Sequence, residues 1–212
     1  MGPMTAAARF ARMLTELALP DRVQRVDVKL YASLALTGRG HHTDRAVVLR
    51  LMGQDPGTLN PDAGDAELLA LAENGVLALD GRHTIRFDAD RDIHWAGSER
   101  LPQRPNAVTL SAYGVDGQHV LQRTSFSIGG GFVCDEVEIS QNAPDEIGEI
   151  PYPFDSGETL LAWAAQHGLT IAQLMFRNEL ARSIPEEVEA GLDRIHGAMH
   201  ACIERGMGQH EE

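Results

Sequence analysis

Cysteine is scarce in this sequence: only Cys134 and Cys202 occur in 212 residues, far apart and in no CxxC pair. Nothing in that spacing favours a disulfide, and the cytoplasm is the expected compartment. Long apolar runs are missing too, so no segment is expected to cross a bilayer. The opening Met1-Gly2-Pro3-Met4-Thr5 carries no basic stretch leading into an apolar core, and no secretory signal is expected. Basic stripes are absent, and the formal net charge is −13. Such a surface repels phosphate backbones, which argues against a nucleic-acid partner. An anionic substrate would need a local trap. There is no low-complexity tract and no internal repeat.

What is present is a hydrophobic content of 43%, enough for one or two domains with cores. Phe10, Met13, Leu14 and Leu17 share one face and predict a helix over 5–18, stopped by Pro20. Val26, Val28 and Leu30 alternate with Asp27, Lys29 and Tyr31, the period of a half-buried strand. After the loop Gly38-Arg39-Gly40-His41-His42, Thr43 is placed to cap a helix through Val47, Val48 and Leu51. Pro56, Gly57 and Pro61 mark a turn-rich connection before a short helix at 65–73. Strand alternation returns at Ile85 and Phe87 and again at Val108, Leu110 and Ala112. Asp116-Gly117 predicts a hairpin into a strand from Leu121 to Ile128. Gly129 to Gly131 interrupt that strand before Phe132 and Val133. Strands and helices without a regular βαβ rhythm indicate an α+β fold.

Composition shifts between Pro144 and Pro153, which divides the chain into an α+β domain over 1–150 and an all-helical segment over 151–212. Ser156 caps a helix ending at Gly168, and Thr170 with Gln173 and Ser183 with Glu186 have capping-box spacing. Val188, Leu192, Ile195, Met199 and Cys202 form one stripe on the last helix, with Cys202 read as a packing residue.

Three stretches carry residues suited to chemistry. The first is Gly38 to Asp44, read as a strand-to-helix junction where free N–H groups favour an anion and a histidine can move protons. Taken alone, these residues favour an ordinary glycine-rich turn with two exposed histidines. The second is Ser127 to Phe132, whose three glycines suit close approach of a ligand, or simply a bulge. In the third, Leu101 to Asn106, Arg104 can fork onto a carboxylate and Asn106 can donate to a substrate oxygen, although such residues often just decorate a loop.

In collinear order, several motifs resemble the iron–sulfur L-serine dehydratases, also called L-serine ammonia-lyases. They are Gly2-Pro3-Met4, Leu30 to Gly38 continuing into Gly40-His41 and Thr43-Asp44, and Ser127 to Phe132. Pro151-Tyr152-Pro153, Leu174-Met175, Asn178-Glu179-Leu180 and Ile203-Glu204-Arg205-Gly206 follow. The resemblance implies a β domain over 1–150, related to allosteric substrate-binding domains, and the opening of a catalytic α domain over 151–212. It implies L-serine as substrate, a [4Fe–4S] cluster rather than pyridoxal phosphate, and a homodimer in the complete enzyme. His41 matches the family's proton-transfer histidine, with Thr43 and Asp44 in support. Gly40, Asn106, Ser127, Gly129 and Gly130 are carried over as substrate-binding positions.

This sequence departs from the family pattern in three places. The family's serine-rich loop with His-Thr precedes its Gly-Pro-Met, where this chain begins. Arg104 stands where a histidine is usual. The family's cluster-ligating cysteines lie beyond the position of Glu212. The chain is therefore expected to be part of a dehydratase, inactive alone; the alternative is a non-catalytic serine-binding or regulatory module paired with a separate cluster-bearing chain. Anaerobic reconstitution of this chain with iron and sulfide is expected to give no stoichiometric cluster, because two cysteines in separate domains cannot enclose a cubane. Iron analysis and visible absorption check this, and a stable cluster would contradict it.

Overall fold

Strand alternation at Val26, Val28 and Leu30 puts three fully buried side chains on one face of the sheet and leaves Asp27 and Lys29 on the other. The computed structural model describes residues 2–140 and 150–208. In chain order the first unit holds α1 (Gly2–Glu16), β1 (Arg25–Tyr31), α2 (Ser33–Leu36), α3 (Thr43–Leu51), α4 (Pro61–Asn74), β2 (Val76–Leu79) and β3 (His83–Arg86). It continues with α5 (Ala89–Asp92), β4 (Ile93–Ala96), β5 (Ala107–Tyr113), β6 (His119–Gly129), β7 (Phe132–Cys134) and α6 (Glu136–Ser140). The second unit holds α7 (Gly157–His167), α8 (Ile171–Glu179) and α9 (Pro185–Gly208). The compact units divide between Ala143 and Pro144. The boundary segment anticipated from Pro144 onward lies, up to 149, outside the described residues.

The α+β class is as expected. Five strands form one sheet in the order β4-β1-β5-β6-β7, and β2 with β3 forms a separate hairpin. β1 pairs antiparallel with β5, Leu30 facing Val108, and parallel with β4, Leu30 facing Trp95. That parallel pair needs a crossover through α2 to α5, which short Ile93–Ala96 gave no periodic sign of. At the Asp116-Gly117 hairpin both residues take positive φ, 60° and 73°, as a tight turn between right-twisted strands requires.

α1 begins earlier than anticipated and buries Ala6, Ala7, Phe10, Ala11 and Leu14 against α3 and the sheet. The anticipated Phe10 and Leu14 are on this core face with the alanines, while Leu17 lies past the helix end at Glu16 and is 53% exposed. Pro61 opens α4 rather than preceding it, with Asn60 accepting from the N–H groups of Asp62 and Ala63. Burying each large side chain of this core contributes about 1.5–3 kcal/mol. Exposed ion pairs such as Arg9–Glu138 contribute well under that, so the apolar layer decides the fold.

In the second unit, Ser156 with Thr159 and Thr170 with Gln173 make capping boxes. Ser183 donates to Glu187 at 2.6 Å instead of pairing with Glu186. Asn178, 5% exposed, donates to the Tyr152 carbonyl and accepts from the Tyr152 N–H, each at 2.9 Å. This two-bond clamp fastens Pro151-Tyr152-Pro153 to α8. Leu192, Ile195 and Met199 on α9 are each more than half exposed, and Cys202 is exposed as well, so Cys202 is not the packing residue it was read as.

The open face of the main sheet is polar. Asp27, Lys29, His94, Thr109 and Ser111 line a shallow depression there. Burial pushes the Asp27 carboxyl above the usual carboxylate range; Arg25 and His94 oppose this, and Asp92 adds to it. Its Oδ1 is buried without a hydrogen-bond partner. A carboxyl raised in the folded state stabilises the fold fully below its unfolded pKa, and that contribution is lost as pH rises through the folded pKa. The ionised form therefore costs stability at neutral pH. Asp27→Asn is expected to raise the urea midpoint at neutral pH, the gain vanishing in acid. A lowered neutral midpoint would mean that the Arg25 and His94 pairs outweigh burial.

Candidate active site at the strand ends

Three strand ends and two helix starts meet at one edge of the sheet. β1 exits through Ala32, a buried non-glycine residue at φ 45° and ψ −125°. Such a conformation costs about 1–3 kcal/mol and persists only where its surroundings impose it. Here it turns the chain so that the Ser33 N–H and hydroxyl both donate to Asn106 Oδ1, at 3.2 and 2.6 Å. The Asn106 carbonyl in turn accepts from the Ser127 N–H at 2.8 Å. Ser127 lies against the start of α1, where a Cβ on Gly2 would stand 3.0 Å from its hydroxyl. Asn106 thus joins the exits of β1 and β6, which carry Ser33 and Ser127.

The histidine loop is attached to the same edge. The Thr37 hydroxyl donates to the Ser33 carbonyl at 2.9 Å. The Thr37 carbonyl then accepts from His41 Nδ1 at 2.9 Å. A carbonyl oxygen only accepts, so Nδ1 must carry the proton, and in the neutral ring Nε2 then holds the free lone pair. His41 is exposed. The ring is oriented, its tautomer is set, and its basic nitrogen has no protein partner among the described residues.

The glycines separate by cause. A Cβ on Gly38 would sit 2.1 Å from the Leu34 carbonyl and 2.5 Å from the Trp95 ring, so glycine there is a packing requirement. Gly40 has ordinary φ and would meet nothing nearer than 3.6 Å. Its small size leaves an open approach beside His41. Gly129 and Gly130 take φ of 101° and 59°, which glycine accepts without strain, and turn β6 into β7. Thr5 donates to the Gly131 carbonyl at 3.1 Å, pinning that turn to α1.

Several local expectations change. β1 hands over to α2, and the loop lies between α2 and α3, not directly after a strand. Thr43 does not cap α3: His42 occupies the cap at φ 52° with no side-chain cap bond. The left-handed turn at His42 already places Thr43 inside the helix, and the Thr43 N–H is taken by the Gly38 carbonyl at 2.9 Å. Asp44 lines a groove with Val48, Leu71 and Phe87 to which His41 does not contribute. No hydrogen bond joins His41 to Ser127, Gly129 or Gly130 among the described residues. Asn106 uses its amide oxygen on Ser33, while its Nδ2 has no partner among the described residues. Arg104 is exposed on the loop. Sequence reasoning overlooked Ser33 and Thr37. The four-residue step from Thr37 to His41 was a readable signal; the 73-residue step from Ser33 to Asn106 was not.

The described residues do not fit an iron–sulfur cluster. Among them no three His, Cys, Asp or Glu side chains gather as a metal site. Cys134 and Cys202 lie in different units. Burial also pushes the Cys134 thiol up, away from the thiolate that iron prefers. No helix among the described residues is long and apolar enough to cross a membrane.

A mixed sheet with helices, and an oriented histidine in the loop between α2 and α3, defines an α+β domain. The serine dehydratase beta chain family profile matches residues 1–138, and the chain belongs to that family. It is 40% identical over 210 residues to an L-serine dehydratase of Streptomyces coelicolor, covering 98% of this chain and 46% of that protein. It is 38% identical over 208 residues to L-serine dehydratase 1 of Escherichia coli, covering 98% and 45%. The chain spans about half the length of the curated relatives it matches.

Gly38→Ala is expected to destabilise the first unit by about 1–3 kcal/mol through overpacking, measured by urea unfolding. Gly40→Ala, with space around it, should leave the midpoint nearly unchanged. Equal effects at the two positions would refute the packing assignment.

Proposed function

We propose that this chain is the leading part of an L-serine dehydratase converting L-serine to pyruvate and ammonia, with His41 as the base that removes the α-proton. The observation that carries it is the Thr37 carbonyl bonded to Nδ1 of the exposed His41, which orients the ring and leaves Nε2 without a partner among the described residues. The α-proton of an amino acid is weakly acidic, so a positioned base is required. Loss of that proton and of the β-hydroxide leaves aminoacrylate, which hydrolyses to pyruvate and ammonia. In this reading Gly40 opens the approach, and Thr43 closes the loop through its backbone. Asn106, Ser127, Gly129 and Gly130, at the exits of β1 and β6, are assigned as substrate-binding positions. Asp44 is left out of the substrate contacts because it lines a separate groove.

The proposal assigns 1–150 to the β domain and 151–212 to the opening of the catalytic domain. It includes a [4Fe–4S] cluster as cofactor of the complete enzyme, with ligands that the described residues do not supply. A polypeptide of these 212 residues alone is then inactive on serine. One observation favours a second reading, a serine-binding β subunit that works with a separate cluster-bearing chain. The family profile ends at residue 138, close to the end of the first compact unit at Ala143.

In a complete enzyme with this sequence as its leading half, His41→Gln should lower turnover on L-serine about a hundredfold or more. The KM should move little, with cluster content matched between variants. His42→Gln should leave the rate nearly unchanged. Near-normal turnover by His41→Gln, or greater sensitivity at His42, would show that the base lies elsewhere. Activity restored by adding the missing half as a separate chain would select the two-chain reading.

A further inference from the structure

At the far ends of α1 and α3 from the strand-end site, three arginines from three separate elements line one pocket of about 250 Å3. Arg12 comes from the second half of α1, Arg50 from the last turn of α3, and Arg82 from the turn between β2 and β3. We propose that this pocket binds a small oxyanion, phosphate or a phosphate monoester.

The pocket is placed by the fold. Asp80 and Gly81 take positive φ, 51° and 67°, and turn the hairpin so that Arg82 reaches the rim. The Asp80 N–H donates to the Leu51 carbonyl at 2.7 Å, tying that turn to the end of α3. Ala8 and Ala11 line the same pocket and supply a wall of short side chains.

Charge points to the ligand. The chain carries −13 overall, yet arginines outnumber carboxylates three to two around this pocket. Arg50 is engaged locally, donating to the Gln54 carbonyl at 2.7 Å and standing 3.9 Å from Asp55. Covering the carbonyls at the end of α3 therefore accounts for Arg50 alone. Arg12 and Arg82 form no ion pair or side-chain hydrogen bond among the described residues. Guanidinium groups fork onto phosphate or carboxylate oxygens with two parallel bonds, and converging unpaired arginines make a receptor for such a group.

Size and sign narrow the class. The volume is below the roughly 300–1,000 Å3 usual for drug-sized ligands, so the occupant is small. Glu16 and Asp80 share the rim and would repel an extended polyanion. They suit a single oxyanion head whose remainder carries hydroxyl donors. Because the site lies away from His41, its occupancy is separate from the proposed catalytic chemistry.

The test is calorimetric titration of the 212-residue chain with inorganic phosphate, ionic strength being held constant with chloride. Saturable binding is expected at one site. Arg12→Gln with Arg82→Gln should weaken it about tenfold or more for each charge-assisted bond lost. Both side chains are exposed, so the urea midpoint of the variant should be unchanged. If the double variant does not fold, Arg82→Gln alone carries the comparison. Titration with glycerol phosphate separates the sources: tighter binding than phosphate assigns a phosphorylated metabolite, equal binding the free ion. Absence of saturable binding, or binding that survives loss of both arginines, would overturn the proposal.

Discussion

Everything at the candidate site depends on the register of β1 against β5. Leu30 faces Val108, so β1 leaves the sheet where β5 enters it, and Ser33 comes within reach of Asn106. A slip of one residue would send Val26, Val28 and Leu30 to the polar face and bring Asp27 and Lys29 into the core. The apolar layer therefore sets the register, and the register sets the distance between Ser33 and Asn106. The strained turn at Ala32 persists only because both its flanks are fixed in this way. The geometry at that edge inherits its precision from packing several residues away.

Legibility followed locality. The alternation in β1, β5 and β6, the Asp116-Gly117 turn, and the caps at Ser156 and Thr170 are encoded within a few residues, and sequence alone showed them. β4 was not legible, because four residues paired in parallel across a long crossover carry no period. The buried face of α1 was misjudged at Leu17 for a different reason. Phe10 and Leu14 are buried as the periodicity indicated, but the helix ends at Glu16 and leaves Leu17 outside it. At the site, the loop and its histidine could be read in sequence, but the way they are held could not. Nothing in a sequence marks His42 for the left-handed conformation that moves Thr43 from cap to helix.

In the second unit, Pro151-Tyr152-Pro153 and Asn178 looked like separate signatures, yet they are two halves of one clamp. A buried amide satisfies both its oxygen and its nitrogen on the Tyr152 backbone. Leaving either group unpaired would cost about 1–3 kcal/mol, enough reason for those residue types without any catalytic role. Among the described residues the long helix that follows has no comparable clamp, and Leu192, Ile195 and Met199 are exposed. Periodicity shows that a helix has an apolar stripe, but not that anything covers it.

The same reasoning sorts the motifs that first suggested a dehydratase. Gly38 is explained by Leu34 and Trp95, Gly2 by Ser127 and Val133, and the triple glycine by its turn. Once these structural demands are met, Gly40 and His41 remain without a packing reason. Gly40 has room for a side chain it does not carry, and His41 uses one nitrogen on Thr37 while the other has no partner among the described residues. A fold that orients an imidazole while stabilising nothing with its second nitrogen has paired rigidity with an unused base. That pairing of an oriented ring with an open nitrogen is what the proposed proton abstraction would draw on, and the contacts that produce it are those of this chain.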